Sequence, residues 1–198
     1  MSSTTERDQA ARLAKENHPA ALAAARRISE SWFRSQALAC VARFAPDASV
    51  RKLVTEAVAA AQASTDAYEK VAALAWSLRA LLERGHSKDA KPIFTSALKD
   101  AGAIDNLVSR VDALFVVAQA VWPDPAFRSE AAAAVVGAAR STPSRKATVT
   151  LRDLALMVAS TGGDPSAVVA AISDPKSRRQ AERRIEEKVH FAARLFFW

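Results

Sequence analysis

The chain has 198 residues, of which 50% are hydrophobic and 25% are charged, and its net charge is +7. This balance excludes an intrinsically disordered chain and fits one domain or one continuous repeat array. Because alanine is the commonest residue and there are only five glycines, the composition favours an almost wholly helical fold.

The N-terminal segment is polar and lacks the apolar core of a signal peptide. No run approaches the roughly 18 apolar residues of a membrane span. We therefore expect a cytoplasmic protein without a membrane span. A single cysteine, Cys40, fits a reducing compartment, and we interpret it as a small buried hydrophobe rather than a reactive thiol.

The predicted helices form an N-terminal helix followed by five pairs. The first helices of the pairs span roughly 19–28, 48–62, 88–101, 126–140 and 165–172, and the second helices span roughly 31–45, 66–84, 105–122, 145–160 and 176–197. Asp47 and Asp124 are expected to cap helix starts, whereas Gly85 and the pair Gly162-Gly163 are expected to end helices.

A short block recurs in the second helices: a polar or basic residue followed four places later by leucine. The blocks are Arg34–Leu38, Lys70–Leu74, Arg110–Leu114, Thr150–Leu154 and a weaker copy at Arg184–Lys188, which start 36, 40, 40 and 34 residues apart. This period is typical of two-helix repeats. The sequence thus predicts an all-α fold, an α-solenoid of about five antiparallel helix pairs plus an N-terminal helix.

The aligned blocks predict which side chains form the core. The leucine column and the position two places later, which holds Trp76, are apolar in every full block. The column held by Ala37, Ala73 and Ala113 contains Asp153 and Glu187 in the last two blocks. We therefore expect these two carboxylates to face inward, paired with an arginine, and we expect Trp76 to be a packing residue.

The segment 90–98, with Ala90, Phe94 and Ala97, resembles the alanine and aromatic pattern of a tetratricopeptide helix. The chain as a whole resembles degenerate tetratricopeptide-like and HEAT-like repeats, although the tryptophan, glycine and tyrosine signature is missing from its first helices. This resemblance implies a right-handed superhelical arrangement of the helix pairs and a scaffold that binds partners. One continuous domain is expected, with a polar capping segment at 1–18, the repeat array at 19–175 and a basic amphipathic capping helix at 176–198; a section of a longer repeat protein is the alternative.

Basic residues are the candidate partner-binding positions. The block starts Arg34, Lys70, Arg110 and Arg184 predict a row of cations, interrupted at Thr150, that meets phosphates or an acidic peptide. The structural alternative is that each cation bonds a carboxylate or an open carbonyl in an adjoining turn. A second basic cluster in the last helix consists of Arg178, Arg179, Arg183 and Arg184.

Aromatic and apolar residues give further candidates. Trp32 and Phe33 could stack a base or a partner aromatic, or pack against the preceding helix. In the last helix Ile185, Val189, Ala192 and Phe196 form a stripe that seals the final repeat, docks on a membrane or a partner, or makes a homodimer.

Catalytic patterns are missing from the sequence. His18, His86 and His190 are isolated, and there is no zinc-binding His-Glu-x-x-His pair, cysteine cluster or phosphate-binding glycine loop. We expect no catalytic residue, no metal and no cofactor. The hypothesis is a non-enzymatic scaffold for a protein or peptide, and the alternative is nucleic-acid binding through the basic row and the C-terminal arginines.

Overall fold

The computed structural model describes residues 2–189 and 191, and all its regular secondary structure there is helical. The eleven helices are α1 (Ser3–Glu16), α2 (His18–Arg27), α3 (Ser31–Phe44), α4 (Asp47–Gln62), α5 (Ala67–Glu83), α6 (Ser87–Ala101), α7 (Leu107–Val121), α8 (Pro125–Arg140), α9 (Arg145–Ser160), α10 (Ser166–Ala170) and α11 (Pro175–Glu186). The all-α prediction is confirmed. None of these helices is long and apolar enough to cross a membrane.

Side-chain caps start most of the odd-numbered helices. Asp66, Asn106, Ser144 and Asp174 each accept a hydrogen bond from the backbone N–H three residues later. Asp124 caps α8 as expected. The predicted Asp47 cap is wrong, because Pro46 holds that position and the Asp47 carboxylate accepts a hydrogen bond from Arg84 instead.

Three odd-numbered helices end at a residue in the left-handed conformation: Gly85 after α5, Gly162 after α9 and Lys188 after α11. In each case the next backbone N–H bonds the carbonyl five residues before it. The helix predicted over 176–197 therefore ends at Glu186, so Val189 is outside it. Acidic Glu186 and Glu187 are unfavourable at a helix C-terminus and help to explain the early end. His190 and residues 192–198, including Ala192 and Phe196 of the predicted stripe, lie outside the described residues.

Contacts between helices divide the described fold into two layers. The odd-numbered helices form one layer, in which each helix packs against the next, from α1 to α11. Each even-numbered helix packs against the odd-numbered helices before and after it, and more extensively against the one before. The predicted grouping joined each even-numbered helix to the odd-numbered helix that follows, so the closest pairs are shifted by one helix.

The core lies mainly in the central odd-numbered helices. Residues 35–42 of α3 and 71–78 of α5 are buried without interruption, which explains why neither stretch shows a single apolar stripe. The predicted core residues Leu38, Leu74 and Leu154 are buried. Trp76 is 7% exposed, which confirms its packing role.

The helix starts correct the alignment of the last two blocks. Counted from the N-caps, the seventh position of α3, α5, α7, α9 and α11 is always buried, and it holds Ala37, Ala73, Ala113, Leu151 and Ala181. The fourth position holds Arg34, Lys70, Arg110, Thr148 and Arg178. Thr150 and Arg184 are therefore not equivalent to the first three block starts.

With this register, Asp153 and Glu187 no longer fall in the buried column, so the prediction that both carboxylates face inward is wrong. Asp153 is partly exposed and accepts hydrogen bonds from its neighbour Arg152 at 3.2 and 3.3 Å. Glu187 is exposed and follows the end of α11. The sequence alignment failed because the spacing of Thr150 and Leu154 matches Arg110 and Leu114, although α9 begins two residues earlier relative to that pattern.

Candidate interaction surfaces

Three of the predicted partner-binding arginines bond the backbone. Arg34, Arg110 and Arg178 each donate to the carbonyl oxygen six residues earlier, which belongs to Ile28, Ile104 and Ile172 respectively. The shortest bonds are 3.1, 2.8 and 2.7 Å long. The three isoleucines are buried and directly follow α2, α6 and α10 or the turn after them. We call this arrangement the arginine latch, and it corresponds to the open-carbonyl alternative of the sequence analysis.

The latch also occurs in the even layer. Arg128 of α8 donates from Nε to the Trp122 carbonyl at 2.7 Å, and its guanidinium lies 5.8 Å from the centre of the Trp122 ring. Lys70 holds the latch position of α5, with buried Ser64 six residues earlier instead of isoleucine. The sequence signal for the latch is an isoleucine shortly after an even-numbered helix, followed six residues later by an arginine that stands four residues after the N-cap of the next helix.

The other candidate cations lie on α11. Arg179 and Arg183 are exposed, and Arg184 is partly exposed. Arg183 forms a loose 3.4 Å ion pair with Glu187, and its side chain is 71% exposed. Lys176 is exposed one turn before Arg179. These positions place three exposed cations along one side of α11.

At the N-terminal ends of the odd-numbered helices, aromatic and polar side chains join α1, α3 and α5. Arg7 Nη1 donates to Gln36 Oε1 at 2.8 Å, and its guanidinium lies 5.5 Å from the centre of the Phe33 ring. The Trp32 ring is 6.1 Å from Phe33 and 5.8 Å from Tyr68. Trp32 and Phe33 are thus partly buried residues that connect neighbouring odd-numbered helices.

The same row continues to α7 and α9. Tyr68 Oη donates to Asp112 Oδ2 at 2.8 Å, and Lys146 Nζ lies 3.0 Å from Asp112 Oδ1. Burial, with the hydrogen bond to Asp112 as a second cause, raises the pKa of Tyr68. The phenol therefore keeps its proton and remains a donor to the carboxylate at neutral pH.

One turn after Asp112, Phe115 extends this row along α7. Its ring is 5.8 Å from that of Phe191, at an interplanar angle of 60°. Both rings are partly exposed. We call this surface of the odd layer the front face, and it comprises Trp32, Phe33, Tyr68, Asp112, Phe115 and Lys146; Gln36 is buried next to it.

An ion-pair cluster joins the C-terminal ends of α3 and α5. Arg43 Nε and Arg79 Nε each lie 2.5 Å from a different carboxylate oxygen of Glu83. Arg84 Nη1 donates to the Arg43 carbonyl at 2.9 Å. The arginine and glutamate side chains of this cluster are between 13% and 26% exposed, so water screens them less than it screens ordinary surface pairs.

A second row of polar contacts links successive even-numbered helices, and we call the surface that carries it the back face. Its contacts are Arg26–Glu56 at 2.8 Å, Arg51–Asp89 at 2.7 Å, Gln62–Asp100 at 3.3 Å, Ser87–Asp124 at 2.6 Å and Lys91–Glu130 at 2.6 Å. In all five, the donor is on the earlier helix and the carboxylate is on the later one. Donors and carboxylates of the back face therefore follow the same order along the chain in every contact.

The buried groups of the described residues do not form a reactive cluster. Cys40 is fully buried, and burial raises the pKa of its thiol to about 12, in keeping with its interpretation as a small hydrophobe. His86 Nδ1 lies 3.5 Å from Asp89 Oδ2. Among residues 2–189 and 191, no group of three or more histidine, cysteine, aspartate or glutamate side chains is arranged to hold a metal ion.

No protein-family model matches this chain, and neither curated proteins nor solved structures give a significant match to it.

Proposed function

We propose that this chain is a non-enzymatic interaction scaffold, a right-handed superhelical α-solenoid of antiparallel helix pairs, that binds a protein or peptide partner along its front face. The direction of the superhelix is the expectation that comes with the resemblance to tetratricopeptide-like and HEAT-like repeats. Fold alone does not determine function, so the proposal depends on the chemistry of the front face.

Contacts between residues that lie about one repeat apart in the sequence support the solenoid arrangement. Arg43 and Glu83 stand at the C-terminal ends of α3 and α5, whereas Tyr68 and Asp112 stand near the N-terminal ends of α5 and α7. Like ends of consecutive odd-numbered helices therefore lie side by side. Short linkers join each intervening even-numbered helix to both neighbours, which supports a return in the opposite direction and hence the proposed antiparallel pairing.

The observation that carries the proposed function is the row of aromatic side chains held in place on the front face. Trp32, Tyr68 and Phe115 are partly exposed, and fixed hydrogen bonds or ring contacts orient them. Exposed aromatic residues are enriched at the centres of protein interfaces, and fixed side chains lose little entropy on binding. A partner with apolar side chains and hydrogen-bonding groups matches this surface.

Selection from a library of short random peptides displayed on phage tests this function. We expect enriched peptides on the wild-type chain, and we expect most of them to bind poorly to a Phe115→Ala, Lys146→Ala double variant. A control is Lys99→Ala, which changes another exposed lysine, on even-numbered α6. Failure to enrich any peptide, or equal enrichment on the double variant, would contradict the proposal.

The exposed cations of α11 favour nucleic-acid binding as a second candidate function. Lys176 and Arg179 are exposed there and Arg183 is only loosely paired with Glu187, whereas Arg34, Arg110 and Arg178 are engaged in latches. Fluorescence anisotropy with single-stranded and double-stranded oligonucleotides tests this candidate. It requires binding that weakens steeply with salt and is lost on neutralising Arg179 and Arg183, because bound cations replace condensed counterions. The scaffold proposal expects no such binding.

A further inference from the structure

A groove of about 620 Å³ lies between α8, the C-terminal end of α9 and α10. Its walls are mainly small and apolar, with Ala133, Val136 and Gly137 on one side and Val158 and Val168 on the other. Arg128 and Arg140 of α8 contribute the cations of the lining, and Asp164 contributes a carboxylate. This volume is typical of a pocket that receives a ligand or an inserted side-chain cluster.

The groove exists because α10 is short. Helices α4, α6 and α8 of the even layer have 16, 15 and 16 residues, whereas α10 has 5. A full-length helix would continue past Ala170 for about ten more residues, roughly 15 Å at the helical rise. The surface of α8 that such a helix would cover is instead exposed at Ala133, Gly137 and Arg140.

The order of donors and carboxylates on the back face predicts that a group covering this surface of α8 carries a negative charge. Every polar contact of the back face runs from a donor on the earlier helix to a carboxylate on the later one. Arg140 stands sixteen residues after the N-cap of α8, and Gln62 stands sixteen residues after the N-cap of α4. Gln62 donates to Asp100 of α6. Arg140 is therefore a donor at the position where the next even-numbered helix would supply a carboxylate.

We propose that this groove is a docking site for an α-helix of a protein partner, whose buried face is apolar and which presents a carboxylate to Arg140. Small residues on α8 let the backbone of a second helix approach closely. The guanidinium of Arg140 forms a charge-assisted hydrogen bond with the incoming carboxylate, which fixes the register of the docked helix. This site is on the even layer and is independent of the front face.

A synthetic peptide with the sequence of α6, Ser87–Ala101, is the test probe because its Asp100 accepts the equivalent hydrogen bond within the chain. Fluorescence anisotropy of the labelled peptide against the full chain should show saturable binding. We expect Arg140→Glu to weaken binding about tenfold, and Asp100→Lys in the peptide to restore it to that variant. Arg27→Glu, at an exposed arginine of α2, is the matched control and should leave binding unchanged.

A second variant tests the groove without changing a charge. A Cβ atom at Gly137 would meet nothing within 4 Å, and Gly137 lines the groove, so we expect Gly137→Leu to keep the fold and to place its side chain in the groove. It should abolish peptide binding, whereas Lys146→Ala on the front face should not affect it. Peptide binding that survives both Gly137→Leu and Arg140→Glu overturns the proposal, as does the absence of peptide binding to the wild-type chain.

Other occupants of the groove give different results. Displacement of the peptide by decanoate at equal concentration would assign the groove to a small apolar carboxylate and overturn the proposal. Light scattering tests for a second copy of this chain in the groove. A mass that doubles with concentration for the wild-type chain, but stays that of a monomer for Arg140→Glu, would assign the groove to a second copy and overturn the proposal.

Discussion

The guanidinium of Arg110 donates two hydrogen bonds to the Ile104 carbonyl, from Nε at 3.1 Å and from Nη2 at 2.8 Å. A cation in the first turn of a helix is opposed by the helix dipole. The latch offsets this cost, because the same cation satisfies a carbonyl in the turn left by the preceding even-numbered helix. The latches of Arg34, Arg110 and Arg178 therefore each tie the start of one odd-numbered helix to the chain segment that enters it.

Removing a latch should destabilise the fold. We expect Arg110→Met, which keeps the apolar stem and loses the donors, to lower the free energy of unfolding by about 1–2 kcal/mol. Arg179→Met is the matched control at an exposed position and should change it by less than about 0.5 kcal/mol. Urea unfolding followed by circular dichroism measures both values, and equal stabilities of the two variants would show that the latch has no structural role.

The ion-pair cluster at the ends of α3 and α5 should contribute more than a surface pair. Glu83→Gln weakens the contacts with both Arg43 and Arg79, and we expect a loss of about 1–2 kcal/mol. Glu130→Gln breaks the Lys91 pair, whose side chains are 53% and 49% exposed, and should cost less than about 0.5 kcal/mol. Thermal and urea unfolding of the two variants provide the comparison; a larger effect at Glu130 would refute this ranking.

Much of the fold could be predicted from the sequence, because helix boundaries depend on local signals. Capping by Asp66, Asp124 and Asp174 and the left-handed ends at Gly85 and Gly162 follow from residue type and spacing. Lys188 gave no such signal, since lysine rarely adopts the left-handed conformation. The end of α11 was therefore missed.

The front face was harder to predict because its residues contact side chains that lie about one repeat away in the sequence. Tyr68 meets Asp112 across 44 positions of the sequence, and no local pattern indicates that contact. A usable signal is present in Gln36 and Asp112, polar residues that directly precede the apolar runs 37–42 and 113–118. The sequence leaves two interpretations of the basic row open for a related reason: a backbone carbonyl as acceptor leaves no charge pattern in the sequence.

Two glycines should respond in opposite ways to alanine. Gly85 has φ of 74°, so Gly85→Ala should destabilise the fold by about 1 kcal/mol even though its added Cβ has open space. Gly137 lies inside α8 with equal space, so Gly137→Ala should stabilise it by about 0.5–1 kcal/mol. Melting temperatures should shift down and up respectively, and a shared direction would contradict the backbone assignments.

Stability should fall at alkaline pH through Cys40. Burial raises the pKa of this thiol from 9.0 to about 12, so the unfolded chain loses the proton first as pH rises. The stabilising contribution of the protonated, buried thiol is complete below pH 9 and is lost progressively between pH 9 and 12. We expect the unfolding free energy of Cys40→Ala to decline less steeply over this pH range than that of the wild-type chain. Part of the decline should remain in this variant, because the pKa of Tyr68 is also raised in the folded chain. In the folded wild-type chain the thiol should resist Ellman's reagent at pH 8; rapid labelling would contradict its burial.

The most direct test of the central claim is the dissociation constant of the strongest selected peptide for the wild-type chain, for a single front-face variant and for a control variant on α6. The account predicts a loss of affinity of tenfold or more, about 1.4 kcal/mol, for Phe115→Ala and no change for Lys99→Ala. Equal dissociation constants for all three proteins would place the binding site elsewhere and contradict the assignment of the front face.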